Sequence, residues 1–334
     1  MSHKASLACA GAIAAAATIA GIGPALSHTI VGNRVFPATL AIDDPGVNDE
    51  FALPTFSYFA NPDNSNEFDF NVFWQKTITY DLSFSIADTF THQHFEGIGT
   101  INGWKQLRTG LKYVPYQNAE HEFIVAVGGQ VVWGETGNDS IAGPTEESSL
   151  LVARGFVGKG FGDLENEWLR PFAVTGEIDY TWSTHPFDVT GVDQFGNVLL
   201  SRTPTVLIYG ATLQYSLLYM NSFVHEVPPF FRQLIPTVEF VAATPVSNIG
   251  PSAPAAVIGT HETLATVQPG VFYIGRLGPL SFELGAEAVI PINHASGRHV
   301  GAMAILDFFL DDMFPDSLGK PLFGGRQSRA AGLY

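Results

Sequence analysis

From Glu67 to its end the chain is built from short runs in which apolar side chains recur at every second position. The clearest run covers 171–185. Phe172, Val174, Ile178, Tyr180 and Trp182 share one phase, and Thr175, Glu177, Asp179, Thr181 and Ser183 share the other. A period of two puts successive side chains on opposite faces of a β-strand, so this pattern predicts sheet and excludes amphipathic helix. The apolar phase is rich in Tyr and Trp, whose amphipathic rings settle where hydrocarbon meets water. If that face meets lipid, the sheet must also close on itself. Lipid offers no partner to an open N–H or C=O, and each one left open costs several kcal/mol.

A length of 334 residues allows two soluble domains or one large all-β unit. Charged residues make up only 14% and there are 26 Phe, a balance that suits a lipid-facing sheet surface. Beyond the first thirty residues no stretch is apolar over the ~20 residues a membrane helix needs. The net charge of −16 argues against nucleic acid and anionic headgroups as partners. Residues 1–27 read as an export signal: Lys4, a small apolar stretch over 7–23, then Ala25-Leu26-Ser27 as a cleavage site. Cys9 lies inside that signal, and its surroundings do not fit a lipidation site. No cysteine follows it, so a disulfide framework is excluded.

Residues 28–50 lack clean alternation and carry Asp43-Asp44-Pro45-Gly46, which reads as a capped turn. This segment is expected as a periplasmic lead-in or tucked into a barrel mouth. Twelve strands are predicted, at 51–60, 67–75, 80–91, 103–114, 119–134, 148–160, 170–183, 205–220, 233–244, 263–275, 279–290 and 299–310. The count falls to ten if the weakly patterned 148–160 and 263–275 fail. Pro269 within the latter suggests a bulge. Connections sort by length. Those at 76–79, 115–118, 161–169, 221–232 and 276–278 are mostly tight, and the interleaved set is longer and more polar. That sorting matches a transmembrane antiparallel up-and-down β-barrel with periplasmic turns and extracellular loops. The expected layout is a barrel over 51–310 and a periplasmic tail over 311–334, in the bacterial outer membrane.

The polar phase turns Asp69, Arg108, Lys112, Glu120, Glu122, Arg154, Glu177, Asp179, Glu239, Arg276, Glu283 and Glu287 inward, with Asp81 and Asp307. Acids outnumber bases. These groups either pair across a narrow bore and fill it, or line a polar passage that disfavours anions. Arg108, Lys112, Arg154 and Arg276 would form a facing basic patch. Rival chemistry is thin. His92 and His94, in phase with Asp88 and Glu96, supply no fourth ligand for a metal, and Asp43, Asp44, Asp49 and Glu50 lack calcium-loop spacing. His294 and Ser296, or His225 beside Glu226, form no complete nucleophile–base–acid set. No cofactor is expected. A soluble secreted β-protein would also alternate, without the aromatic strand ends.

Three stretches carry a resemblance: 36–46 (FPATLAIDDPG), 169–176 (LRPFAVTG) and 308–316 (FFLDDMFPD). They are similar to a family of exported proteobacterial outer-membrane barrels regarded as transporters. With KTIT at 76–79 and GLKY at 110–113, the layout also resembles barrels associated with the phenol meta-cleavage pathway. The resemblance implies passive uptake of small solutes, hydrophobic or aromatic ones included. Implied partners are outer-membrane lipid, periplasmic chaperones and the barrel-assembly machinery. The shared motifs are turns and strand ends, so no ligand residue carries over. Barrels of this kind usually end on an aromatic of the last strand, whereas here 311–334 follow it. Phe308-Phe309 or Tyr334 would then serve as the insertion signal.

Overall fold

Strands of alternating phase, each bounded by turn residues, pair only with their sequence neighbours and close into a ring. The computed structural model describes residues 29–61, 65–97, 99–138, 148–192, 195, 198–249 and 262–323. The expected signal at 1–27 and the terminal Tyr334 lie outside these. In chain order the strands are β1 (Thr29–Val31), β2 (Arg34–Phe36), β3 (Glu50–Ala60), β4 (Ser65–Thr79), β5 (Leu82–Phe95), β6 (Gly99–Trp104), β7 (Arg108–Asn118), β8 (Phe123–Val132), β9 (Leu150–Gly160), β10 (Phe172–Ser183), β11 (Phe187–Val192), β12 (Val198–Arg202), β13 (Thr205–Tyr215), β14 (Leu234–Ser247), β15 (Leu264–Leu277), β16 (Leu280–Pro291) and β17 (Gly301–Phe309). Two short helices, α1 (Leu217–Phe223) and α2 (Leu310–Met313), complete the set.

Twelve of these strands make the wall: β3, β4, β5, β7, β8, β9, β10, β13, β14, β15, β16 and β17. Every pairing is antiparallel, and β17 pairs with β3 to shut the ring. β6 extends the β5 ladder beyond the wall, β11–β12 is a hairpin within one long loop, and β1–β2 is a hairpin preceding the wall. Five connections, three of them turns of four residues or fewer, and both ends of the wall lie at one rim, the short-turn rim. Six connections, all longer than four residues except 61–64, lie at the other, the long-loop rim.

The outer face is apolar with aromatic ends. Phe68, Ile178 and Leu284 are among its half-exposed residues. Cross-strand aromatic pairs gather near the long-loop rim as Tyr58–Phe68 and Phe90–Trp104, with ring centroids 4.8 and 5.5 Å apart. Near the short-turn rim stand Phe172–Tyr215 and Tyr116–Phe123, at 4.6 and 6.1 Å. Two aromatic girdles flanking an aliphatic band are the surface that a bilayer and its two interfaces require. The wall strands run from 9 to 15 residues, enough to cross hydrocarbon when tilted.

Four local expectations need correction. Residues 76–79 are not a turn: β4 runs to Thr79 and the turn is at 80–81, because the inward Thr77 is bonded to Asp49 and stays in register. The strand predicted over 103–114 is two strands. Residues 105–107 leave the ladder, where Leu107 N donates to Thr136 Oγ1 and Lys105 turns inward to Glu67 and Asp69. The strand predicted over 205–220 stops at Tyr215. Ser216 caps α1 by accepting from Tyr219 N, so Leu217 and Tyr219 leave the outer face. Pro269 makes no bulge. The β15–β16 register is the same on both sides of it, but the pairs at 268 and 269 are missing, since proline has no N–H to give.

Candidate functional site: the barrel lumen and the segment across it

The bore is electrically lopsided, and the wall strands dictate this. β13 to β17 and β3 carry one base between them, Arg276, and it sits at the turn end. The same strands bury Glu50, Glu239, Glu283, Glu287 and Asp307. Glu283 and Asp307 are directly opposed in the β16–β17 register. The far wall supplies the bases: Arg108 and Lys112 on β7, and Arg154 on β9. Arg154 Nε lies 3.2 Å from Asp179 Oδ2, and its Nη2 pairs with Glu177.

Into this bore comes the segment that precedes the wall. Its hairpin seats at the short-turn rim. Val35 packs with Ile235, Phe272 and Ile274, while Val31 and Phe36 pack with Ile124 and Ala173. Arg34, wholly buried, ties the hairpin to three periplasm-side turns by sequence reading. Its Nε is 3.1 Å from Glu122 Oε2, Nη1 donates to Pro171 O at 3.0 Å, Nη2 donates to Arg170 O, and the guanidinium lies 4.0 Å from the Tyr219 ring.

Residues 41–44 then cross the lumen as a chord. Ala41 N and Ile42 N donate to Glu239 at 2.9 and 3.2 Å, and Asp43 N donates to Glu177 Oε2 at 2.8 Å. On the other side Lys112 Nζ sits 2.9 Å from Asp43 Oδ2 and donates to Asp44 O at 2.9 Å, and Arg154 Nη1 is 3.4 Å from Asp43 Oδ2. In the ring, β14 and β7 stand five strands apart out of twelve, nearly opposite. The chord therefore offers the N–H groups of Ala41 and Ile42 to the acidic wall and its carboxylates to the bases, while Asp43 N–H goes to Glu177, the partner of Arg154. Burial works to raise both carboxyls. At Asp44 it prevails, whereas at Asp43 the Lys112 and Arg154 charges outweigh it and hold the carboxyl below its usual range.

Two glycines make room for the chord. A Cβ on Gly210 would come within 2.4 Å of Ile42 Cδ1, and one on Gly158 within 2.9 Å of Pro45 Cγ and 3.3 Å of Phe36 Cε1. The segment is then pinned at the rim. Asp49 accepts from Lys76 Nζ at 2.6 Å and from Thr77 N at 2.8 Å. The same Lys76 Nζ donates to Leu318 O and Lys320 O, and Leu322 N and Phe323 N donate to the end of β4, so one lysine ties the segment before the wall to the segment after it.

The sequence-derived lining residues divide into three groups. Lys112, Arg154, Glu177 and Glu239 hold the chord. Asp69, Arg108, Asp179, Glu283 and Glu287 line the wall around it; Asp69 accepts from Lys105, and Arg108 Nη2 donates to Asn71. The remaining three stand at the short-turn rim. Glu120 is exposed in the β7–β8 turn, Glu122 pairs with Arg34, and Arg276 bends back to Gly278 O, so it does not join the basic patch. Asp81 also lies in a turn, bonded to Thr79. Sequence reasoning missed Arg34 and Lys76, weighed Asp49 only as a member of a calcium loop whose spacing fails, and read Asp43-Asp44 as a turn. Asp44 Oδ1 does accept from Gly46 N at 3.0 Å, as such a turn requires.

The rival sites are not assembled. His92 and His94 point outward, bonded to Asn102 and Thr100, and no metal-binding group of three or more His, Cys, Asp or Glu exists among the described residues. Ser296 Oγ donates to Asn293 Oδ1 at 2.6 Å, while His294 faces Arg298.

No protein-family model matches the chain, and no curated protein is significantly similar to it. Among solved structures it is similar to an outer-membrane channel from Pseudomonas putida F1, at 13% identity and a TM-score of 0.49, covering 82% of this chain and 99% of the other. It is similar to the NanC porin at 8% identity and TM-score 0.43, covering 78% and 98%. A FadL homologue from Pseudomonas aeruginosa matches at 9% identity and TM-score 0.39, covering 87% and 99%.

Proposed function

We propose that this chain is a bacterial outer-membrane channel for passive uptake of small solutes, hydrophobic or aromatic ones included, with residues 37–49 as a removable occupant of its bore. In this reading 1–27 direct export, the short-turn rim faces the periplasm and the long loops face outward. Chaperones and the assembly machinery would deliver the barrel to its lipid. The observation that carries the reading is how the chord is held. At mid-bore its contacts are ion pairs and amide–carboxylate bonds to charged wall strands, which water can replace when the chord leaves. A permanently filled barrel needs no such hydratable lining; apolar packing would serve.

Conductance in planar bilayers tests this. The intact protein is expected to pass small ions weakly, and the protein lacking residues 37–45 to pass them several-fold better and with cations favoured. Inserted protein that stays silent in both forms rejects the pore. A second reading would then apply, a filled barrel whose long loops bind at the cell surface, since the same chord also crosses the bore.

A further inference from the structure

The bases that line the bore between its rims are paired with carboxylates, with one exception. Lys105 holds Glu67 and Asp69 at 2.7 and 2.8 Å, Lys112 faces Asp43 and Asp44, and Arg154 reaches Asp43, Glu177 and Asp179. Arg108 has no carboxylate within ion-pair reach among the described residues. Its Nη2 donates to Asn71 Oδ1 and, at 3.1 Å, to Thr89 Oγ1, both neutral acceptors. Its Nε and Nη1 make no hydrogen bond among the described residues. The acids whose charges reach it are committed elsewhere. Asp69 accepts from Lys105 and from the Thr91 hydroxyl, while Asp88 accepts from Thr89 N and pairs in register with the outward Val72.

We propose that Arg108 is the docking point for the carboxylate of a small monocarboxylate solute. This deepens the channel reading, on which it rests, by naming a solute class. A guanidinium drawn out of bulk water without a counter-charge is costly, and a carboxylate that reaches it supplies a charge-assisted hydrogen bond. The wall leaves room for one. β7 turns Arg108, Gly110 and Lys112 inward in succession, so no side chain of that strand stands between the two bases. The position also lies on the way in. Arg108 begins β7 at the long-loop end, and Lys112, which holds the chord, is ~13 Å further along the strand toward the short-turn rim. A solute entering from the long-loop side therefore meets Arg108 before it meets the chord. One unpaired base balances one negative charge. A second charge on the solute would stand unmatched among Glu67, Asp69 and Asp179.

Isothermal titration of the full-length protein in nanodiscs, with benzoate as the probe, tests the proposal. Benzoate is expected to bind about tenfold more tightly than benzamide, which has the same shape and no charge, and than phthalate, which has two charges. Arg108→Gln should abolish that difference. Asn71→Asp keeps the arginine and gives it a carboxylate partner in place of a neutral one, so it should weaken benzoate by about tenfold as well, with heat-modifiable gel migration unchanged. If Arg108→Gln disturbs migration, Asn71→Asp and the benzamide comparison still decide. A role confined to holding the wall would show in migration and leave the preference for benzoate over benzamide intact. Benzoate held no better than benzamide, held equally well after both substitutions, or displaced as readily by inorganic phosphate would overturn the proposal. The two readings fail separately. A silent barrel that binds benzoate rejects the pore and leaves the carboxylate site, and a conducting one that ignores benzoate does the reverse.

Discussion

Lys112 is 5% exposed, and its ammonium faces two chord carboxylates, an arrangement whose energetics depend on keeping both partners. Removing one member of a buried ion pair strands the other and costs ~3–5 kcal/mol, more than the intact pair contributes. Lys112→Met should therefore detach the chord and raise bilayer conductance, while Lys112→Met combined with Asp43→Asn should return part of the way toward wild type. Equal conductance in all three proteins would show that the chord is held by something else. Outside the wall, Asp163 in the β9–β10 turn stands 3.0 Å from Lys159 and 3.1 Å from His121. Burial pushes its carboxyl up, but the hydrogen bonds from Lys159 and His121 and the charge of Lys159 together outweigh it and keep the carboxyl below the usual range. A lowered native pKa gives stability that is present above the unfolded value of about 4 and lost as pH falls through the native one. The difference in thermal unfolding between wild type and Asp163→Asn should thus shrink from pH 7 to about pH 3, a small effect at an exposed site. A difference that stays constant with pH would remove the pair from the account.

At the level of elements, the inward faces of β9 and β13 use glycine where a neighbouring strand would place a side chain. At Gly158 the atoms in the way belong to Ile124, Pro45 and Phe36, which are side chains and not wall backbone. Gly158→Leu should push the hairpin and the chord away, at a cost of about 1–3 kcal/mol for an overfilled contact. It should raise conductance without changing gel migration, and unchanged conductance would place the chord elsewhere. Twelve wall strands could be read from the period-two pattern, including the weak β9 and β15. Where element boundaries failed, a contact distant in sequence decided them. Asp49 held β4 in register past its expected end, Ser216 started α1, and Thr136 drew residues 105–107 from the ladder. The Pro269 gap reflects a lost donor that the sequence displays, but whether the ladder shifts or simply skips depends on both flanking strands.

For the whole molecule, charge asymmetry around the ring is the property with a measurable consequence. Buried acids cluster on β3, β14, β16 and β17, and bases on β7 and β9. In the protein lacking residues 37–45, replacing Glu239, Glu283 and Glu287 together by Gln should lower the preference for cations over anions, read as a shift in reversal potential across a salt gradient. A potential that does not move would mean these acids do not face the conducting path. The sequence alone determined the strand pattern, the inward and outward phases, and hence a closed ring with an apolar exterior. Alternation is local, and closure follows from the solvent the outer face must meet. It could not say that the bore is occupied. Nothing local links Asp43 to Lys112, Arg154 and Glu177, which lie 69 to 134 positions away. Only ring closure sets strands β7, β9, β10 and β14 around one bore, and only there do the chord's N–H groups and carboxylates meet charges of opposite sense on facing walls.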